Sequence, residues 1–451
     1  VFLRHLKQPL RLAYDAALTQ NLRDEWRVGK QRTKLAQIDK SKVFDQPEYH
    51  KAKSFVKFEV NHKVPSKARL IQGNQNECTA YENPAEYRAI SQALKMLSKE
   101  TFNIEGVQFQ LVYAGGYNHN DLSDLVTSWL HQSQRTLIDE RDGKNWDSTM
   151  QEPTLKAERL VYEMLKLDSA KSFKARCEWV RGKISCKNAS GIFRIYYDTV
   201  MKRLSGDWNT SVGNTIVSII ICVCTVLGLP VHLRPNCVRA LFMGDDYLGF
   251  YSFRDLPDPR DLAAALSHGE ALLGITPIRA IFNDPLHVSF ISLGIWPRHN
   301  GDYQFVPHPA RQLRKLMWAA KRLHPKHAED YRSSLCIAFW PVYHGFPMMM
   351  KFLKLQYTKK NPKFSFDDKD SQWWLTPQTT VARDVNWRLG FMCKYELPFS
   401  ALSFEWPIFK GCAVLHHPIV QYMLDIEGQD PHERVMNLSH PDHKIICHLQ
   451  L

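Results

Sequence analysis

The run "CVRALFMGDDYLGFYSF" (237–253) is apolar except for a single polar tip, Gly244-Asp245-Asp246. Two apolar segments joined at a glycine and two acids read as a β-hairpin, and one this apolar belongs inside a covered sheet. Gly244 supplies the backbone freedom that a tight turn needs. The tip sets the physical problem. Burying one carboxylate is costly unless something pairs with it, and a second one beside it adds repulsion. The segment therefore predicts a hairpin that presents Asp245 and Asp246 where positive charge has to come from another molecule or ion.

Upstream segments hold matching groups. "DERDGKNWDSTM" (139–150) places Asp142 at the end of a predicted strand, 131–142, with Asp147 five residues on. Carboxylates there and at the hairpin tip, on neighbouring strands, would bind two hard cations through oxygen. Two cations roughly 3.5–4 Å apart clamp the attacking and leaving oxygens of an in-line phosphoryl transfer. Strand alternation puts Asp142 on the face of Ile138 and Glu140. Asp139, on the other face, is a rival ligand, although the residue five places after it is Lys144 rather than an acid. Asp139→Asn is expected to be mild if Asp142 is the ligand.

In "RLSGDWNTSVGNTIVS" (203–218), Ser205-Gly206 form a turn before a predicted helix, 207–227, with Asp207 as its expected cap. Thr210 and Asn214 are four apart and share one helix face, a hydroxyl and an amide suited to reading a ribose. In "FVKFEVNHKVPSKARLIQGNQN" (55–76), Lys57, Lys63, Lys67 and Arg69 alternate with apolar residues and suit a triphosphate or backbone phosphates.

Charge points the same way. Lys and Arg total 59 against 46 Asp and Glu, a net +13, which fits a polyanionic partner, nucleic acid or an anionic membrane. The 44% hydrophobic content excludes a disordered chain, and 451 residues leave room for two or three domains. The ten cysteines include no CxxC pair, which predicts free thiols in a reducing compartment. "IVSIIICVCTVLGLPVHL" (216–233) lacks Asp, Glu, Lys and Arg, but Gly228 and Pro230 break it, so a buried core helix is predicted rather than a membrane span. The first residue is not Met and no signal-peptide pattern appears, as expected of a fragment or processed product. Helices are also predicted at 83–101, 153–175 and 260–273, with short strands within 56–76, a strand at 278–284 and a mainly helical region from about 310. The order strand, helix, hairpin, helix, strand predicts an α+β fold, an antiparallel sheet backed by helices.

The four polar blocks, in this order, resemble motifs F, A, B and C of viral RNA-dependent RNA polymerases: Lys67-x-Arg69, Asp142-x4-Asp147, Ser205-Gly206-x3-Thr210-x3-Asn214 and Gly244-Asp245-Asp246. "SGDWNTSVGN" is most similar to the tombusvirus-like and nodavirus-like positive-strand RNA viruses. The resemblance covers roughly residues 55 to 300 and implies a right-hand polymerase with an antiparallel palm sheet. It implies fingers at 1–130, palm at 131–155, a fingers insertion at 156–202, palm again at 203–300, and a thumb with C-terminal extension at 301–451. It assigns Asp142 and Asp245 as metal ligands with Asp246 in support, for two Mg²⁺ ions or Mn²⁺ in their place. Asp147 and Asn214, with Ser205 or Thr210, would sense the ribose 2′-hydroxyl. Lys57, Lys67 and Arg69 would hold the triphosphate, and Gly206 would let the motif B loop flex. "VSFISLGIWP" (288–297) resembles motif E. Arg279 stands where motif D usually has a lysine; a guanidinium is a poor proton donor.

The implied partners are RNA template and product, ribonucleoside triphosphates and other viral replication proteins. The implied setting is the host cytoplasm, in a replication complex attached indirectly to intracellular membranes. Two rivals remain at this stage. A reverse transcriptase shares the carboxylates but must admit deoxyribose, against which Asp147 and Asn214 argue. An inactive RNA-binding scaffold has no use for three clustered acids. Weaker features are a basic helix at 308–325 (Arg311, Arg314, Lys315, Lys321, Arg322), zinc-ligand types at His440, His443, Cys447 and His448, and Trp373, Trp374 and Trp387, which suit a core better than base stacking.

Overall fold

The charge-free run begins as a single helix, Thr210–Leu227. Its length and hydropathy would let it cross a membrane, yet 72% of it is buried inside the protein. Val212, Ile216, Ile219, Val223 and Val226 lie at helical spacing and enter the main core. The helix stops at Gly228, and Pro230 prevents its continuation.

The computed structural model describes residues 2–19, 51–56, 70–74, 84–133, 135–143, 146–188, 191–204, 207, 209–316, 325–358, 384–402 and 418–429. The described residues of 1–57, 68–115 and 135–281 form one compact unit, and those of 116–134 and 282–451 a second. In chain order the elements are α1 (Phe2–Thr19), β1 (Lys51–Val56), β2 (Leu70–Asn74), α2 (Pro84–Leu97), β3 (Phe102–Ile104), β4 (Val107–Tyr113), α3 (His119–Gln132), β5 (Thr136–Gly143), α4 (Glu152–Leu165), α5 (Ala170–Glu178), β6 (Val180–Asn188), β7 (Gly191–Thr199), α6 (Thr210–Leu227), β8 (Cys237–Met243), β9 (Asp246–Ser252), α7 (Pro259–Leu272) and β10 (Pro277–Phe282). The second unit continues with β11 (Ser289–Phe290), β12 (Leu293–Pro297), β13 (Tyr303–Pro307), α8 (Pro309–Leu316), α9 (Pro325–Phe339), α10 (Pro347–Gln356), α11 (Trp387–Tyr395) and α12 (Pro418–Gly428).

The chain is α+β, as expected. Its main sheet has the order β10-β5-β9-β8-β4-β3. The pairs β5–β9, β8–β9 and β3–β4 are antiparallel. The expectation of an antiparallel sheet needs correcting, because β4 and β8 run parallel. A parallel pair needs a long crossover, and more than a hundred residues separate these strands. The β3–β4 hairpin escaped the sequence reading because its turn is Glu105-Gly106, both with positive φ (50° and 84°). Asn or Asp would be the usual signal at the first of those positions. Helix α6 packs on β8 and β4 and is flanked by α4 and α7.

The predicted helix at 153–175 is broken in two. Lys166 turns left-handed at φ 58°, and the N–H groups of Asp168 and Ser169 donate to Glu86 at 2.7 and 3.1 Å. That distant carboxylate gives the backbone a better partner than a continued helix would. A second sheet, β2-β1-β6-β7, belongs to the same unit. There the Tyr197 ring covers Gly182 on the neighbouring strand, and a Cβ at Gly182 would overlap it.

In the second unit, β11 and β12 make a hairpin in the motif E-like segment 288–297, and β13 extends it. Helix α3 packs on β13, with the Phe305 N–H donating to the Ser123 hydroxyl at 2.8 Å. The unit's core contains Trp296, Phe346, Trp387, Phe391 and Tyr395. Trp387 is thus a core residue whose indole N–H donates to the His344 carbonyl at 2.7 Å. Of the basic segment at 308–325, α8 is described and carries Arg311 and Arg314, whereas Lys321 and Arg322 lie outside the described residues. The Glu427 carboxylate accepts from the Ala310 and Arg311 N–H groups at 3.0 and 2.6 Å, an anion on a helix N-terminus. Trp373, Trp374 and the C-terminal His and Cys residues lie outside the described residues.

Four charged side chains beneath the main sheet lock its strands to two helices. Arg279 on β10 donates to Asp139 on β5 and to Glu270 on α7, each at 2.7 Å. Arg141 on β5 donates to the same Glu270 oxygen at 2.8 Å and to the Ser218 hydroxyl on α6. The guanidinium of Arg141 also sits 4.5 Å from the centroid of the Tyr247 ring. All four charged groups are buried. Burial alone would raise Glu270, but Arg279 and Arg141 outweigh it and hold its carboxyl below the usual value. Removing one member of a buried pair strands the others, at a cost of about 3–5 kcal/mol. Glu270→Gln should therefore lower folding stability by about that amount in urea denaturation. A loss under about 1 kcal/mol would show that the network does not hold the sheet.

Candidate active site

The polar tip forms as the sequence implies. Met243 pairs with Asp246, leaving Gly244-Asp245 as a two-residue turn. Gly244 has φ +68°, the left-handed region that the first central residue of a primed hairpin turn requires. Its N–H donates to the Thr215 hydroxyl on α6 at 2.9 Å, and Thr215 passes its own proton to the Ser211 carbonyl at 2.9 Å. The turn is thereby fastened to the helix that carries Asn214. Sequence reading missed Thr215, because a threonine in an apolar helix ordinarily satisfies itself on its own backbone.

Asp142 comes to the same place through strand register. Arg141 on β5 pairs with Tyr247 on β9. Asp142 is the next residue on one strand and Asp246 the next outward on the other, so both stand at one end of the pair. Asp147 lies in the helical turn Trp146–Thr149, and the Asn214 amide donates to its Oδ1 at 3.1 Å. The structure thus brings together Asp142, Asp147, Asn214, Asp245 and Asp246, drawn from three separated segments.

Asp139 is not among them. It is buried against Arg279 and accepts from the Tyr251 hydroxyl at 3.1 Å. Asp139→Asn, expected to be mild for activity, weakens this buried ion pair and therefore acts on stability. Arg279 is held below the sheet by two carboxylates, those of Asp139 and Glu270. Asp207 does not cap α6. Its carboxylate pairs with both Nε and Nη2 of Arg176, at 3.2 and 2.8 Å, because α5 presents that fork beside the loop. The residue at the cap is Asn209, whose amide donates to buried Glu158 at 3.0 Å. Glu158 also receives the Tyr162 hydroxyl at 2.5 Å and the Arg203 guanidinium. Thr210, at the helix entrance, donates its hydroxyl to the Leu204 carbonyl at 2.7 Å. Lys57, Lys63, Lys67, Arg69, Ser205 and Gly206 lie outside the described residues.

The electrostatics follow from this crowding. Burial, then repulsion from Asp147 and Asp142, pushes Asp245 up to about 6 against the help of its own backbone N–H. Burial, then repulsion from Asp245, Asp142 and Glu140, pushes Asp246 up to about 8. Asp246 keeps an exposed surface at the rim. The upward direction is therefore better founded on its acidic neighbours than on loss of water. Among the described residues no three His, Cys, Asp or Glu side chains close into a metal cage. The crowded carboxylates and all-oxygen donor set nevertheless fit hard divalent cations, whose arrival would remove the repulsion.

A pH dependence follows. Both carboxylates have folded-state values above the ordinary 3.8, so the protein takes up protons there on folding. Their contribution to stability is full below the ordinary value and is lost as pH rises through about 6 and about 8. In metal-free buffer, thermal melting from pH 5 to 8.5 should show a decline in stability that Asp245→Asn/Asp246→Asn flattens. Equal slopes for the two proteins would contradict the proposed repulsion.

A family model described as RNA dependent RNA polymerase matches residues 27–366, a span that contains every described residue of the site. No curated protein matches the chain significantly.

Proposed function

Because the chain belongs to the RNA-dependent RNA polymerases of positive-strand RNA viruses, and is an RNA-directed nucleotidyltransferase, we propose that Asp142, Asp245 and Asp246 are its catalytic acids. The carrying observation is the meeting of Asp142, Asp147, Asp245 and Asp246 with Asn214 where the hairpin turn is fastened to α6. On this reading the main sheet is the palm of a right-hand polymerase. The motif B pattern is similar to that of the tombusvirus-like and nodavirus-like viruses. The working setting is a replication complex on intracellular membranes in the host cytoplasm, with other viral replication proteins as partners.

Asp142 and Asp245, with Asp246 in support, would hold two Mg²⁺ ions, for which Mn²⁺ can substitute. When bound, these neutralise the triphosphate and ease ionisation of the attacking 3′-hydroxyl. Lys57, Lys67 and Arg69 would grip the triphosphate. Ser205 would help to sense the 2′-hydroxyl, and Gly206 would let the motif B segment flex.

Sugar choice falls to the Asp147–Asn214 pair. The Asp147 carboxylate fixes which way the Asn214 amide faces, since only the NH₂ side can donate to it. That leaves Asn214 Oδ1 buried with no protein partner. A ribose 2′-hydroxyl can donate to this atom, and a deoxyribose leaves it unpaired. Thr210, whose hydroxyl proton is committed to Leu204, can still accept a hydrogen bond.

Labelled NTP incorporation on an RNA template tests the reading. Asp245→Asn should abolish synthesis while RNA binding persists, because binding rests on basic groups elsewhere. Activity within about tenfold of wild type would remove Asp245 from the chemistry. Asn214→Ala should raise the dNTP-to-NTP ratio of kcat/KM roughly three- to tenfold, the worth of one hydrogen bond. An unchanged ratio would take Asn214 out of sugar recognition.

A further inference from the structure

Among the described residues, strand β7 is one edge of the four-stranded sheet. Ile192 is 62% exposed, Phe193 and Ile195 55%, Tyr196 54%, and Val200, just past the strand, 57%. Successive strand residues point to opposite faces, so these apolar side chains emerge on both sides of the edge. Edge strands are normally blunted by proline, charged side chains, a bulge, a cover or short length; the two charges of β7, Arg194 and Asp198, are of opposite sign. β7 runs nine residues without proline and pairs with β6 in unbroken register.

The register also shows which backbone groups are available. The hairpin closes on Asn188 and Gly191, with two residues between them in the chain. In such a hairpin the closing pair and every second pair after it exchange hydrogen bonds. Gly191, Phe193, Ile195 and Tyr197 therefore bond to β6. Ile192, Arg194, Tyr196 and Asp198 direct their N–H and C=O groups to the open side.

We propose that β7 pairs antiparallel with β7 of a second copy of this chain, about a two-fold axis at Tyr196. In that register Arg194 faces Asp198 of the second copy, and symmetry makes the pair twice. Ile192 faces Val200 of the second copy, Ile195 faces its Tyr197, and Tyr196 faces itself. Every outward backbone group from Arg194 to Asp198 gains a partner. A two-fold axis at Ile195 is also compatible with the backbone, but it sets Asp198 against Ile192 and gives Arg194 no opposite charge. Within its own hairpin Asp198 has only an exposed contact with Arg181 at 3.8 Å, which is weak competition. Arg181, Lys183, Arg194 and Tyr196 share the register positions of one face. RNA lying on that face would leave Phe193, Ile195 and the open backbone groups uncovered, whereas strand pairing engages both faces and the edge.

Sedimentation velocity of the full chain, from about 1 to about 100 µM, is the test. A monomer–dimer equilibrium is expected. Tyr196→Pro removes an N–H that no bond to β6 uses, and should raise the dimer Kd at least ~30-fold with an unchanged circular-dichroism melt. Arg194→Asp and Asp198→Arg should each be monomeric, since like charges then meet twice. Mixed in equal amounts they should form a heterodimer, and the double reversal should dimerise again. A wild-type chain that stays monomeric at about 100 µM overturns the proposal. So does a dimer indifferent to all these changes, or a set of variants that lose RNA affinity with no change in mass.

Discussion

Strand β5 carries charge on both of its faces, and the contrast between those faces organises the main unit. Below, Asp139 and Arg141 are buried and bonded to Arg279, Glu270 and Ser218. Above, Asp142 stands with Asp245 and Asp246, whose proton affinities are raised by burial and then by neighbouring carboxylates. The period of two keeps these populations apart. A slip of one residue would bring Arg141 up among the acids and leave Asp142 beneath the sheet. The ion network therefore fixes register as well as holding α7 and α6 to the sheet, and register is what brings the acids together.

The same logic operates at the entrance to α6. Glu158 collects Tyr162, Arg203 and Asn209, while Arg176 holds Asp207. These contacts hold the residues on both sides of the Ser205-Gly206 segment. The Thr215 bond to Gly244 then joins α6 to the hairpin turn. Asn214 and Asp245 are thus placed by groups that take no part in the proposed chemistry, and the supporting residues are as specific as the acids they position.

Much of the site was legible because its residues are conspicuous in their surroundings. Asp245 and Asp246 interrupt an apolar run, Asp142 ends a strand, and Thr210 and Asn214 share a helix face. The hairpin, the buried α6 and the helix before β10 followed from periodicity and from Gly and Pro punctuation. What sequence could not supply was pairing over distance. Asp139 looked like a possible ligand because nothing in the sequence indicates Arg279, 140 positions later. Asp207 looked like a cap because its rival partner, Arg176, sits on another helix. Helix α4 ended early because of Glu86, and β4 joined the sheet in parallel through a crossover that no local pattern announces. In each case a tertiary partner outweighed a sound local preference.

The interleaving of the two units in the chain has a kinetic consequence. Helix α3 lies between stretches of the first unit, yet Ser123 receives the Phe305 N–H across 182 positions. At a synthesis rate of about 5–20 residues per second, the ribosome needs on the order of ten to forty seconds to deliver β13 after α3 has emerged. For that interval Leu122, Val126 and Trp129, all buried in the finished protein, have no β13 to pack against. Nascent chains caught in that interval carry a sticky apolar stripe, which makes slow translation, stalling or truncation before residue 303 a route to aggregation and chaperone capture.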